Sequence, residues 1–126
     1  MNNLGLSTLE KDVIEWLSAG EDPVIAALQK QFKNITSVRR DFTGYGFYSH
    51  FEVPLNLQPI HTEMAVKANF SFGDVEVMTP SLKNGAGFLL WIKNGIISFL
   101  EGYTYDEAWP EEIKEYKLRY IPGVLS

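Results

Sequence analysis

Cysteine is absent from the 126-residue chain, and that absence removes disulfide frameworks, zinc-thiolate sites, iron–sulfur clusters and thiol nucleophiles together. It leaves the redox compartment open. Positive charge is in deficit, with 11 Lys and Arg against 16 Asp and Glu and a net charge of -5. General binding to nucleic-acid phosphates or to anionic lipid is therefore not expected, although a local basic patch is compatible with the balance. Long apolar runs are missing too. The densest, residues 88–92, ends at Lys93, far short of the ~20 residues a membrane-spanning helix needs. The first six residues carry neither Lys nor Arg, unlike a secretory leader, which predicts a cytoplasmic protein without membrane partners. Two sequons, Asn34-Ile35-Thr36 and Asn69-Phe70-Ser71, read as chance matches without an export signal. No internal repeat or low-complexity tract is visible.

What is present suits one globular domain spanning residues 1–126, at a size where folding buries roughly two-thirds of the unfolded surface. Hydrophobic residues make up 45% and aromatics 13%, so the core should be rich in rings.

The N-terminal third predicts two helices, near residues 7–19 and 23–33. Ser7 and Glu10 have the spacing of a capping box, and Leu9, Val13, Trp16 and Leu17 form one stripe up to Gly20. Asp22 then caps a second helix with Pro23 at its first position and Ile25, Leu28 and Phe32 on its apolar face. A DNA-binding helix-turn-helix is disfavoured, because the second helix offers only Lys30 and Lys33.

From residue 35 the period drops to two. Residues 35–42 and 47–53 flank the turn Thr43-Gly44-Tyr45-Gly46, with Phe47, Ser49, Phe51 and Val53 on one face of the second strand. A third alternating strand is expected over residues 60–70, then Val75, Val77 and Thr79, then the apolar residues 88–92 of a central strand. Asn94-Gly95 marks a hairpin into residues 96–103, and residues 116–120 suit an edge strand. The expected fold is α+β, a helical hairpin packed on an antiparallel sheet of five or six strands.

Enzyme signatures are lacking. There is no nucleophile elbow, phosphate-binding loop or dinucleotide fingerprint, so no catalytic residue and no cofactor is assigned. His50-Phe51-Glu52 and His61-Thr62-Glu63 place an imidazole and a carboxylate on one strand face each, which allows a metal-dependent enzyme as a remote reading. Solvated polar faces account for the same pattern, and no metal ligands are assigned. Arg40 shares the phase of Val38 and Phe42, and Glu101 that of Ile97 and Phe99. A buried Arg40–Glu101 pair satisfies both, as does a bulge turning either group to solvent. If Arg40 lines a cavity with rings around it, a small-molecule pocket results, with Arg40 and Glu101 as its ligand-binding residues.

Charge placement carries more. Residues 101–115 hold six acids and one base, which accounts for the whole net charge of -5. Tyr103, Tyr105 and Trp109 lie in the same segment. Acid mixed with rings suits a basic protein partner, with Tyr105, Asp106, Glu107, Trp109, Glu111 and Glu112 as the contact residues. A solvated loop with its rings tucked into the core fits the same composition. Whether the segment is exposed, and the oligomeric state, stay open at this point.

The turn Thr43-Gly44-Tyr45-Gly46-Phe47, the stretch Gly87-Phe88-Leu89-Leu90-Trp91, and Leu100-Glu101-Gly102-Tyr103-Thr104-Tyr105-Asp106-Glu107-Ala108-Trp109-Pro110 together resemble an uncharacterised family of small bacterial proteins with a T-G-x-G-F turn and an L-E-G-Y-T-Y-x-E-x-W-P ending. The resemblance assigns no function and no catalytic residue. By analogy of class, small acidic proteins of this kind include immunity partners of bacterial toxins. The reading is thus a non-enzymatic module for a protein partner, an immunity-type inhibitor among the possibilities, with a small-molecule-binding domain as the alternative.

Overall fold

A computed structural model gives the structure of residues 6–60, 69–73 and 75–121. Two helices, α1 (Thr8–Leu17) and α2 (Pro23–Phe32), precede seven strands: β1 (Ser37–Phe42), β2 (Gly46–Glu52), β3 (Phe70–Phe72), β4 (Val75–Thr79), β5 (Leu82–Lys93), β6 (Ile96–Thr104) and β7 (Lys117–Tyr120). The fold is α+β with one antiparallel sheet, ordered β1-β2-β6-β5-β4-β7, and β3 pairs the far end of β5. Seven strands replace the five or six expected, because β3 and β4 share the same flank of the long β5. Residues 61–68, where most of the expected third strand falls, lie outside the described residues.

Both helices begin as their sequences predict. Ser7 accepts from the Glu10 amide at 3.1 Å while Glu10 reaches back to the Ser7 amide at 2.8 Å, completing the capping box. Asp22 caps α2 by accepting from the Val24 amide, with Pro23 at the first position. The helices cover one face of the sheet, α1 over β4 and α2 over β6. Val13, Leu17 and Leu28 pack there against Val75, Val77, Leu90, Ile97 and Leu100, all nearly or fully buried. Gln31 is also buried. It donates to the carbonyls of Gln58 and Gly95 and accepts from the Ile97 amide, so α2 is docked by a fully used side-chain amide.

The Asn94-Gly95 hairpin forms with φ of 53° and 78°, the left-handed pair that a type I′ turn requires. Beyond the turn the strand phase breaks. Trp91 pairs with Phe99 and Ile92 with Ile97, so Ser98 is an extra residue in β6. Ile97 therefore faces the helices, while Phe99 and Glu101 face away. β5 is also longer than expected, running unbroken through Gly85-Ala86-Gly87. At Gly87 a side chain has no room, since an added Cβ would sit 2.5 Å from the Tyr103 hydroxyl and 2.9 Å from that of Tyr105.

Close strand approach makes a test of the β2–β6 register. A Cβ at Gly46 would stand 2.0 Å from the Gly102 carbonyl oxygen, whereas one at Gly102 would meet the Phe47 ring at 2.5 Å. Backbone cannot yield as a ring can. Gly46→Ala is expected to destabilise by about 2–3 kcal/mol and Gly102→Ala by less, measured as urea midpoints. An unchanged midpoint for Gly46→Ala contradicts this pairing.

Candidate functional site

The register sends Arg40 and Glu101 to opposite faces. Arg40 pairs with Ser49 and Ser49 with Leu100 on the helix side, while Glu101 pairs with Tyr48 on the other. The Arg40–Glu101 ion pair therefore does not form; the alternative, a bulge that turns one of the two groups away, is what β6 carries at Ser98. Glu101 instead accepts from the Trp91 indole N–H at 3.1 Å.

Arg40 meets Glu10. Its Nε donates to Glu10 Oε2 at 3.0 Å, its Nη2 donates to Oε1, and the Ser49 hydroxyl also donates to this carboxylate. The Glu10 side chain is 2% exposed and that of Arg40 27%. One carboxylate thus serves as helix cap and as counter-charge for β1, a double role that the capping-box spacing alone did not reveal. The signal was present in phase, because Glu10 lies three, four and seven residues before Val13, Ile14 and Leu17, on the buried stripe.

Beside this cluster opens a cleft of about 630 Å³ between the start of α1, the Phe42–Phe47 end of the first hairpin and the segment 109–116. Its walls are Phe42, Phe47, Trp109 and Tyr116, and its charged lining is Glu10, Arg40, Glu111, Glu112 and Lys114. Trp109 is anchored by its amide, which donates to the Gly44 carbonyl at 2.8 Å, and by edge contacts with Phe47 at 5.0 Å and Phe88 at 6.4 Å. Tyr116 donates to Asp12 of α1. Burial and that carboxylate push its phenol up to about 12. Phe42 stands at the rim, 69% exposed, as do Glu111 and Glu112, the latter 3.7 Å from Lys114.

The predicted contact residues divide between the two faces. Trp109, Glu111 and Glu112 join Arg40 in the cleft, so part of the partner-binding set and part of the ligand-binding set meet there. Trp109 is half-buried and supports the core as well as the cleft. Asp106 is exposed outside the cleft lining, and Glu107 accepts from the Asn84 amide at 3.1 Å. Tyr105 lies over Gly87 on the sheet face away from the helices and donates to Glu76 at 3.0 Å. Arg119 holds the other Glu76 oxygen at 2.7 Å. Burial raises the phenols of Tyr105 and Tyr103, and the Glu76 carboxylate raises both further. Glu76 and Arg119 were missed by sequence reasoning, because β4 and β7 come together only through the fold.

His50 lies 3.2 Å from Asp41, whose carboxyl is held below its ordinary range by hydrogen bonding to Arg39. Glu52 accepts from the Ser37 hydroxyl at 2.9 Å. His61 and Glu63, the other half of the suggested metal site, lie outside the described residues, among which no three His, Asp or Glu side chains converge. Among the described residues no helix is long and apolar enough to cross a membrane. Comparison with known protein families, curated proteins and solved structures finds no match.

Two measurements check this geometry. Glu10→Gln removes the carboxylate facing Arg40 and is expected to cost about 2–4 kcal/mol, with part of the loss recovered in the Glu10→Gln/Arg40→Met double variant. Full additivity of the two changes contradicts the pair. In alkali, the folded-state phenol of Tyr116 lies above its ordinary value of 10.0, so the folded state holds the proton longer than the unfolded. Its contribution is complete below about pH 10 and fades as pH rises toward 12. Tyr116→Phe should flatten that fall in the thermal midpoint, leaving the part owed to Tyr103 and Tyr105.

Proposed function

We propose that this protein is a non-enzymatic binding module that receives a basic segment of a protein partner in the cleft between α1 and residues 109–116. The observation that carries the reading is an aromatic-walled cleft with exposed carboxylates, Glu111 and Glu112, on its rim. Long cationic side chains have apolar stems and charged heads, so rings below and acids above match both parts. Arg40 does not convert the cleft to an anion site, because Glu10 already answers its charge. Counting Glu10, Glu111 and Glu112 against Arg40 and Lys114, the lining is net acidic. An immunity-type inhibitor of a basic toxin domain is one form of this function, by analogy with other small acidic proteins.

A small molecule is the second reading, favoured by the cleft volume of about 630 Å³, which falls within the range of ligand pockets. The acidic lining points that reading toward a cationic ligand as well. Rim charge and wall rings separate the contributions kinetically. With a partner captured from the parent cell at low salt, Glu111→Gln/Glu112→Gln is expected to slow association roughly tenfold and to flatten its salt dependence. Phe42→Ala should mainly speed dissociation. Asp106→Asn, outside the cleft lining, serves as the control. Partner binding that is indifferent to Glu111, Glu112 and Phe42 contradicts the proposal.

A further inference from the structure

Among the described residues β1 ends the sheet on its side, and in its sequence, SVRRDF, Val38 with Phe42 and Arg39 with Asp41 complement a second copy running the opposite way, Arg40 then standing opposite its own copy at the axis. The first hairpin fixes which backbone groups face outward. Thr43 donates to Gly46 at 2.9 Å, and antiparallel bonding alternates along the ladder. Residues 37, 39 and 41 therefore bond inward to β2, while Val38 and Phe42 turn their N–H and C=O away from the sheet.

An antiparallel neighbour that sets Val38 opposite Phe42 joins these outward groups as hydrogen-bonded pairs. The same register sets Arg39 opposite Asp41. On the helix side it lays the half-buried Val38 against Phe42, which is 69% exposed. On the other side Arg39 and Asp41 are 65% and 52% exposed. Their 2.7 Å ion pair uses Nη1 and Oδ2, the latter also 3.2 Å from His50, and among the described residues no hydrogen bond or ion pair uses Arg39 Nη2 or Asp41 Oδ1. Both groups thus keep a second valence for a partner across the edge. An inward-pointing charge commonly guards an edge strand against such pairing. Here that charge, Arg40, is drawn beneath its own sheet to Glu10.

We propose that two copies of the chain associate through their β1 edges about a two-fold axis, Arg39 of each meeting Asp41 of the other. The interface is isologous, so every contact occurs twice and a single charge reversal is felt twice.

Sedimentation velocity of the full chain over a range of concentrations tests this directly. Expected is a species of twice the 14.3 kDa chain mass that grows with concentration. R39D sets carboxylates against carboxylates and should weaken self-association at least roughly tenfold. The double variant R39D/D41R restores opposite charges and should restore it. V38P removes an outward N–H without touching a β1–β2 bond and should abolish it, with circular dichroism confirming the fold. A wild-type chain that stays monomeric throughout, an R39D chain that associates normally, or a double variant that fails to recover would each overturn the proposal. Glu111→Gln/Glu112→Gln, which addresses the cleft and not the β1 edge, should leave self-association unchanged, so failure of the cleft reading leaves this one standing; Phe42 belongs to both surfaces and is not used to tell them apart.

Discussion

The carboxylate of Glu10 is the point on which the helix layer, the first hairpin and the cleft all depend. It is 1% exposed as a residue, and an isolated carboxylate at such depth is strongly unfavourable. It is tolerated because donors converge on it from three elements: the Ser7 amide at the start of α1, Arg40 of β1 and Ser49 of β2. Ser7 lies far in sequence from the hairpin that carries Arg40 and Ser49. The charge therefore fixes where α1 begins relative to the sheet edge, and the gap left beside it becomes the cleft. Once the pair has formed, Arg40 serves as wall and floor rather than as a free cation.

A second constraint sorts the two sides of the sheet. The extra residue Ser98 reverses the phase of β6, so Ile97 and Leu100 join the core while Phe99 and Glu101 turn outward with Trp91. That outward side carries stacked Trp91 and Phe99 rings and the Tyr103–Tyr105 pair over Gly87, with Glu76 and Arg119 at its β4–β7 end. Acidic charge is thereby split. Glu101 and Glu76 are occupied by internal donors, whereas Glu111 and Glu112 stay at the mouth of the cleft, where they can act on an approaching molecule.

Helix starts, the fold class and the hairpin tips at residues 43–46 and 94–95 were legible because each rests on local chemistry: Ser7 with Glu10, Asp22 with Pro23, and Asn94-Gly95. The cleft was legible only in pieces. Arg40 was recognised as needing a carboxylate, and Trp109, Glu111 and Glu112 were singled out as candidates, yet nothing local says that they line one cleft. The mistaken Arg40–Glu101 pairing came from carrying a period of two through Ser98, where a bulge leaves no mark in hydropathy. Glu10 was hidden by its own local explanation, since a capping role accounts for it without reference to β1. Gln31 was overlooked because a polar residue between Leu28 and Phe32 reads as solvent-facing until its carbonyl partners in the 58–97 region are known.

The three tryptophans report on three places: Trp109 in the cleft wall, Trp91 on the sheet face away from the helices, and Trp16 against Tyr120 at the β7 edge. Their indole N–H resonances in a proton–nitrogen NMR spectrum make a map that needs no mutation. Titration with a short arginine-rich peptide is the most direct measurement of whether the acidic cleft is the binding site. The account predicts that the Trp109 indole and the amides of residues 109–116 shift progressively while those of Trp91 and Trp16 hold still. Movement of Trp91 with Trp109 unmoved would contradict it and transfer binding to the opposite face of the sheet.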